Sequence, residues 1–469
     1  MSAPTLPVPA PPLPVPAPVA RRAGPPRWWR AATATAAWGV VVAVCALWAY
    51  GGGLRELGDL GGALVSLGRL TGLVASALLL LQVVLMARVP VVERAWGQDA
   101  LARAHRVVGF SSFVLLWVHV VLISAGYAAR SPLGLLGTLA DLVLDYPGML
   151  LALAGTAALC LVVVTSVARA RRRLRRESWH LLHLYGYLGA GLVLPHQLWT
   201  GADLLGSRLA TAVWWGLWGA TAGAVLLWRV AVPLHRSLRA PLRVVDVVPA
   251  GPGATTVRVG GPGVAALQAR GGQFFQWRFL GAPGWTRAHP YSLSAAPGRD
   301  TLEVTVAHVG DGSAAVADLR PGARVLLEGP YGRLHDGVRT RPRVLLMGSG
   351  VGVAPLRSLL GDLGDDVEDA VLVHRVRTPH DALVAQSART AEAVGARYVT
   401  LAGRRAPGSW LPLGATSLDD AAAIAHLVPD VASREVYLCG APGWTDAVVA
   451  ALRALGVPDD AVHRESFEL

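Results

Sequence analysis

The sequence predicts a membrane all-α six-helix bundle, then a small antiparallel β-barrel, then an α/β domain with a parallel sheet. Three observations carry this. The 469 residues are 53% hydrophobic, with a mean hydropathy of +0.44, too apolar for an ordinary soluble protein. Six membrane-length apolar segments lie between residues 31 and 230. From about Pro241 short alternating runs are broken by Gly and Pro, and from Arg343 strand-like runs alternate with helical stretches.

In order, residues 1–30 are rich in Pro, Ala and Val and end in RRAGPPRWWR. They predict a disordered, partly polyproline tail. It is a poor signal peptide, because no n-region precedes a short apolar core. The six segments follow at roughly 31–50, 67–87, 106–127, 147–168, 180–200 and 209–230. The connection at 88–104 carries Arg88, Arg94 and Arg103, and the one after the fourth segment carries Arg169, Arg171, Arg172, Arg173, Arg175 and Arg176. The connections at 51–66, 128–146 and 201–208 contain only Arg55, Arg130 and Arg208. Short basic loops stay in the cytoplasm. A multi-pass protein of the cell membrane is expected, with its N-terminus and everything after the sixth segment cytoplasmic.

The net charge of +12 comes from 43 basic against 31 acidic residues, and every basic one is arginine. Much of it flanks membrane segments, so it is read as composition beside lipid and not as a nucleic-acid surface. Only Cys45, Cys160 and Cys439 are present. They cannot build a four-cysteine iron–sulfur site or a disulfide framework. One-electron chemistry would then fall to haem or flavin.

Four histidines stand out in two of the apolar segments. His105 and His119 are 14 residues apart in the third; His183 and His196 are 13 apart in the fifth. At about 1.5 Å per residue each pair spans roughly 20 Å of helix. Neutral imidazole is a good axial ligand for haem iron, and ionisable groups at such depth face a partner inside the bundle. Two such helices predict two stacked bis-histidine haem sites, His105 with His183 towards the cytoplasm and His119 with His196 towards the outside. A step of 14 returns to within about 40° of the same helix face, whereas a step of 13 misses by about 140°. Pro195 precedes His196 and predicts an irregular helix there. His180 lies one turn before His183 as a competing neighbour. Arg69 enters the second segment from the outside, placed either to snorkel or to meet a propionate of the outer haem.

In the barrel, His289-Pro290-Tyr291-Ser292 offers a tyrosine flanked by hydroxyls, suited to a flavin ring and its phosphate chain. Gly310-Asp311-Gly312-Ser313 opens a helical stretch and offers backbone amides to a phosphate, or is a plain turn. Glu328-Gly329-Pro330-Tyr331-Gly332 closes the barrel. The strongest local signal is an apolar strand running into Gly348-Ser349-Gly350-Val351-Gly352, then Ala354-Pro355 and a helix. Such a turn brings amides onto a pyrophosphate. Arg375 and Arg377 follow the next strand and could meet a 2′-phosphate, favouring NADPH over NADH. Further on, a strand ends in Cys439-Gly440-Ala441-Pro442, and the chain closes with Glu465-Ser466-Phe467-Glu468-Leu469.

Together these motifs resemble the ferric reductase and NADPH oxidase superfamily, over about residues 31–469. The paired histidines resemble its bis-haem signature. The HPYS, GDGS, GPYG, GSGVGVAP and LCGAPG runs resemble, in order, its ferredoxin–NADP-reductase-like module. The resemblance implies two haem b, FAD on His289, Pro290, Tyr291, Ser292, Gly312 and Ser313, and NAD(P)H on Gly348, Gly350, Gly352, Pro355, Arg375, Cys439 and Gly440. It implies catalytic placement for Cys439 and for Phe467, a C-terminal aromatic shielding the flavin. It departs from the eukaryotic oxidases at Gly189, where those carry an aromatic between the haems, and in having no calcium-binding loops or ferredoxin domain. The domains expected are a tail at 1–30, the haem domain at 31–235, the FAD barrel at 236–340 and the nucleotide domain at 341–469. The activity expected is electron transfer from cytoplasmic NAD(P)H through FAD and the haems to oxygen or a ferric chelate outside. The other class considered is a transporter or sensor with a histidine proton relay and a nucleotide-sensing domain.

Overall fold

The structure is a computed structural model that describes residues 28–167, 176–239, 241–281, 283–285 and 287–465. Phe467, Arg169 to Arg175 and most of the expected tail lie outside the described residues. Two compact units form, one from residues 27–96 and 100–230, the other chiefly from 231–469.

The first unit is helical: α1 Trp28–Tyr50, α2 Leu60–Met86, α3 Pro90–Trp96, α4 Gln98–Ala128, α5 Gly134–Leu144, α6 Met149–Ser166, α7 Arg176–Thr200, α8 Ala202–Leu205 and α9 Arg208–Val225. Five described helices are long and apolar enough to cross a membrane: α1, α2, α4, α6 and the run from Arg208 to Arg239 that begins with α9. The fifth predicted segment forms α7, 25 residues long, whose His180, His183 and His196 dilute its hydropathy. The second segment starts earlier than expected because Asp59 caps α2, its carboxylate accepting from Gly62 N at 2.9 Å.

Glycines let these helices meet backbone to backbone. A Cβ on Gly126 would lie 2.9 Å from Val65 N, and one on Gly189 would lie 3.0 Å from the Gly155 carbonyl. Position 189 therefore faces α6.

The irregularity expected at Pro195 is absent: α7 runs through it as a continuous α-helix. Proline removes one donor, and the neighbouring groups are satisfied locally. His196 Nδ1 bonds Val193 O at 2.5 Å and Thr200 Oγ1 donates to His196 O at 2.6 Å. The first bond folds the imidazole back along its own helix.

The second unit opens with a π-helical turn, Leu226–Ala231 by its full bounds, and α10 Val232–Arg239. Six strands follow: β1 Leu242–Gly251, β2 Ala254–Gly260, β3 Phe274–Phe279, β4 His289–Ser292, β5 Thr301–Ala307 and β6 Arg324–Tyr331. They form one antiparallel sheet in the order β4-β3-β6-β1-β2-β5. Its two edges are joined where Leu293 bridges Val304 and Ser294 N donates to Glu303 O at 2.9 Å. Phe275, Trp277 and Phe279 alternate inwards along β3 into one core. Between β5 and β6 lies the single turn α11 Asp311–Ala314.

The remaining strands are β7 Arg343–Ser349, β8 Asp369–Val376, β9 Arg397–Ala402, β10 Glu435–Cys439 and β11 Val462–Glu465. They build a parallel sheet in the order β11-β10-β7-β8-β9. Helices α12 Val353–Leu360, α13 Val384–Ala393, α14 Asp420–Leu427 and α15 Pro442–Ala454 connect them. Along β7, Leu345 and Met347 enter one core while Val344 and Leu346 enter another. A sheet buried on both faces explains the unbroken apolar run that the sequence shows there.

Candidate functional site

In the helical unit, α4 and α7 bring the histidines together in pairs. The rings of His105 and His183 lie 6.0 Å apart, centre to centre. His196 and His119 stand within electrostatic range of one another. A metal held between two imidazole nitrogens at about 2 Å each separates the ring centres by about 6 Å. All four rings are partly accessible, as side chains lining a space would be. Among the described residues no three His, Cys, Asp or Glu side chains converge on one point. A bare ion needs three or four protein ligands; an iron already held by a porphyrin needs two. The donor set therefore fits haem.

Each imidazole is also fixed from behind. His105 Nδ1 bonds Gln82 O at 3.0 Å and His119 Nδ1 bonds Gly68 O at 2.8 Å, both on α2. A carbonyl only accepts, so Nδ1 carries the proton in each, as in His196 with Val193 O, leaving Nε2 with a lone pair for a metal. His183 Nδ1 meets Ser166 Oγ at 3.3 Å, and Trp179 lies against the His183 ring at 5.0 Å. The carbonyl partners leave no signature in the sequence. Gln197 does: it donates to Ser76 Oγ at 2.9 Å and accepts from Trp214 Nε1 at 3.0 Å, tying the residue after His196 to α2 and α9. His180 is exposed. Arg69 sits between Glu56 Oε1 at 3.1 Å and Asp203 Oδ2 at 3.3 Å, so it is held by carboxylates and does not snorkel.

In the second unit, β4 and the turn at α11 converge. A Cβ on Gly312 would lie 3.3 Å from the His289 ring, and His289 stacks on Tyr291 at 5.8 Å, 7° from parallel. Pro290 is tolerated because β4 is an edge strand. Ser292 Oγ is buried with no hydrogen-bond partner among the described residues, which fits a site that takes an acceptor from a bound group. Ser313 Oγ is engaged in its own turn, accepting from Val309 N and Gly310 N at 2.9 and 3.0 Å. What that turn offers an anion is backbone amides.

The glycine turn after β7 is built by close approach. A Cβ on Gly348 would lie 2.9 Å from Val353 Cα, and one on Gly352 would lie 2.7 Å from Cys439 O. Gly350 has φ +56°, a conformation that favours glycine. Gly440 admits Ser349 and Trp444 at 3.0 and 2.9 Å from where its Cβ would be. Two motifs nearly 90 residues apart thus form one surface, with β10 beside β7 in register at Cys439 and Gly348. Cys439 is buried in the core and Pro355 is buried in the first turn of α12.

Beneath the turn, His374 is fully buried, its Nε2 bonding Gly350 O and its Nδ1 meeting Tyr398 Oη, each at 3.0 Å. Burial pushes this imidazole down to about 4, so it is neutral, with the proton on Nε2. Arg375 is buried as well. Its guanidinium donates to the carbonyls of Val376, Leu401 and Gly403, and burial followed by nearby Arg405 lowers its pKa. It braces the ends of β8 and β9. Arg377, Arg404 and Arg405 are exposed there, and the Arg405 guanidinium lies 3.7 Å from where a Gly443 Cβ would be.

Parts of the chain are similar to known proteins. The ferredoxin reductase component of 3-ketosteroid-9-alpha-monooxygenase from Mycolicibacterium smegmatis is 29% identical over 202 residues, 42% of this chain and 55% of the relative. The stachydrine N-demethylase reductase subunit from Rhizobium meliloti is 26% identical over 236 residues, 48% of this chain and 66% of the relative. The chain thus spans between about half and two thirds of these relatives' length. Among solved structures, the flavohem-like FAD/NAD binding domain of nitric oxide dioxygenase from Vibrio cholerae aligns with 48% of this chain and 98% of its own, at 21% identity and a TM-score of 0.40. Residues 71–194, which hold all of α4 and most of α2 and α7, match the ferric reductase like transmembrane component. That stretch is thus similar to the membrane component of ferric reductases.

Proposed function

We propose that the chain is a membrane NAD(P)H oxidoreductase that carries electrons to an extracytoplasmic acceptor, oxygen or a ferric chelate. The observation that carries this reading is the pairing of four Nδ1-anchored histidines across α4 and α7. Its six long helices would span the membrane, with both termini and the second unit in the cytoplasm, as the arginine-poor connections at 51–66, 128–146 and 201–208 favour.

FAD held here would supply hydride acceptance from the nicotinamide, and haem at the two histidine pairs would supply one-electron transfer. The residues hold these groups in order. Gly348, Gly350, Gly352 and Gly440 clear space for a pyrophosphate. Arg377 and Arg405, in place of Arg375, meet a 2′-phosphate, while Arg375 keeps the strand ends in place. His289, Tyr291 and Ser292 with the Gly312 turn hold the flavin. Cys439 packs in the core beneath the glycine turn, its carbonyl beside Gly352. His105 and His183 hold the inner iron, His119 and His196 the outer. His119 and His196 together would hold the outer iron, which would then supply electron transfer to an acceptor and not a binding position for it.

The test is a reduced-minus-oxidised spectrum with pigment stoichiometry on the purified chain. Two haems per polypeptide and a split Soret are expected; none or one in folded protein overturns the reading. Superoxide yield against iron(II) formation, in membranes given NADPH, then assigns the acceptor.

A further inference from the structure

Helix α10 is turned the wrong way for a helix of a soluble domain. Leu234 and Leu238, one turn apart, are 52% and 64% exposed. The side carrying His235, Arg236 and Arg239 instead borders a cavity of about 190 Å³. The rest of its wall is largely apolar, including Leu242, Leu267 and, from β6, Val325 and Leu327; no carboxylate lines it. Arg236 is engaged, its Nη1 donating to Gly329 O at 3.1 Å. The side chains of His235 and Arg239 have no hydrogen bond or ion pair among the described residues.

The chain fixes where this happens. α10 continues the apolar helix that starts at Arg208 without a break, so it emerges at the membrane face. An outward apolar face there matches helices that lie in a bilayer interface. The cavity sets two further conditions. Its apolar walls offer too few polar partners to hold water well. His235 and Arg239 line it and are themselves exposed, and their cationic chemistry calls for an anion. A small anion would leave the void unfilled, and an uncharged lipid would leave Arg239 unanswered. One molecule meets both conditions.

We propose that the cavity holds an acyl chain of an anionic glycerophospholipid from the surrounding membrane, with Arg239 and His235 meeting its phosphate. The lipid touches β6, the strand that runs on through Gly329 to Tyr331, and so secures the flavin-side strand at the membrane. This rests on the membrane placement of the chain and not on its redox chemistry, and the test reads bound lipid instead of turnover.

The full chain, solubilised and exchanged into mixed micelles, is offered phosphatidylglycerol or phosphatidylcholine, and retained lipid is counted by native mass spectrometry. Preferential retention of phosphatidylglycerol is expected. Arg239→Gln should weaken it about fivefold, the effect of one cation at an anionic surface. Ala266→Phe, at an exposed position on the cavity wall, should remove the tail site while leaving both cations. Equal retention of the two lipids by the unaltered chain, or undiminished phosphatidylglycerol in Ala266→Phe, overturns the proposal. Complete displacement by millimolar inorganic phosphate also overturns it, because it would show an anion site without a tail. Haem content measured on the same samples separates failure here from failure of the electron-transfer reading.

Discussion

The rings of His105 and His183 lie 6.0 Å apart, on helices α4 and α7, while His105 Nδ1 bonds the Gln82 carbonyl of α2 at 3.0 Å. Three helices therefore define one histidine pair: two supply the imidazoles and a third sets the tautomer of His105. The same division holds at the other level, where α2 offers the Gly68 carbonyl to His119.

Removing His119 or His196 should cost one haem and spare the other. Replacing either by alanine should halve pigment per polypeptide while NADPH-driven reduction of a soluble dye continues. Pyridine haemochrome content beside dye reduction checks this; full retention of both haems would refute the ligand assignment.

Gly72 should behave as a ligand residue although it ligates nothing. A Cβ there would lie 2.6 Å from His119 Nδ1, far inside contact distance, so Gly72→Ala must push the imidazole off its Gly68 acceptor. The same single-haem loss is expected, with the other pair intact, whereas Gly216→Ala, which meets nothing within 4 Å, should leave both.

The two buried and exposed arginine classes should separate in kinetics. Arg377→Ala with Arg405→Ala should raise KM for NADPH about tenfold or more and leave NADH unaffected, the pattern of a lost phosphate contact. Arg375→Ala should instead destabilise the domain by about 1–3 kcal/mol, since three carbonyls lose their donor, and should affect both nucleotides alike.

Acid should weaken the nucleotide domain through His374. Its folded pKa is about 4, against 6.5 for a free imidazole. Between these values the unfolded chain holds the extra proton. The share of stability due to this residue is thus full above about pH 6.5 and falls as pH drops towards 4, by about 3 kcal/mol. Denaturation followed by the buried Trp410 and Trp444 fluorescence tests it. His374→Asn should flatten about half the loss, because His335, also near 4, supplies the rest.

Ser292→Ala should lower flavin affinity about fivefold to tenfold if its unpartnered hydroxyl meets the bound group, without a loss of apo stability. Flavin retention on gel filtration and a melting curve would separate these outcomes.

By itself the sequence determined the periodic and the local features. Long apolar runs, alternating short ones, the four histidine positions, the glycine turn and the order of motifs all depend on residues close in the chain, where hydropathy and backbone conformation act directly. What only the tertiary structure decided depends on neighbours distant in sequence. The acceptors behind the histidines are main-chain carbonyls, which every residue carries. Arg375 reads as a phosphate ligand until Leu401 and Gly403 close over it. Pro195 reads as a break in the helix, yet α7 runs through it, and the His196 ring is held by the Val193 carbonyl. In each case the deciding group is a backbone atom brought close by packing, and residue type does not encode where such an atom will lie.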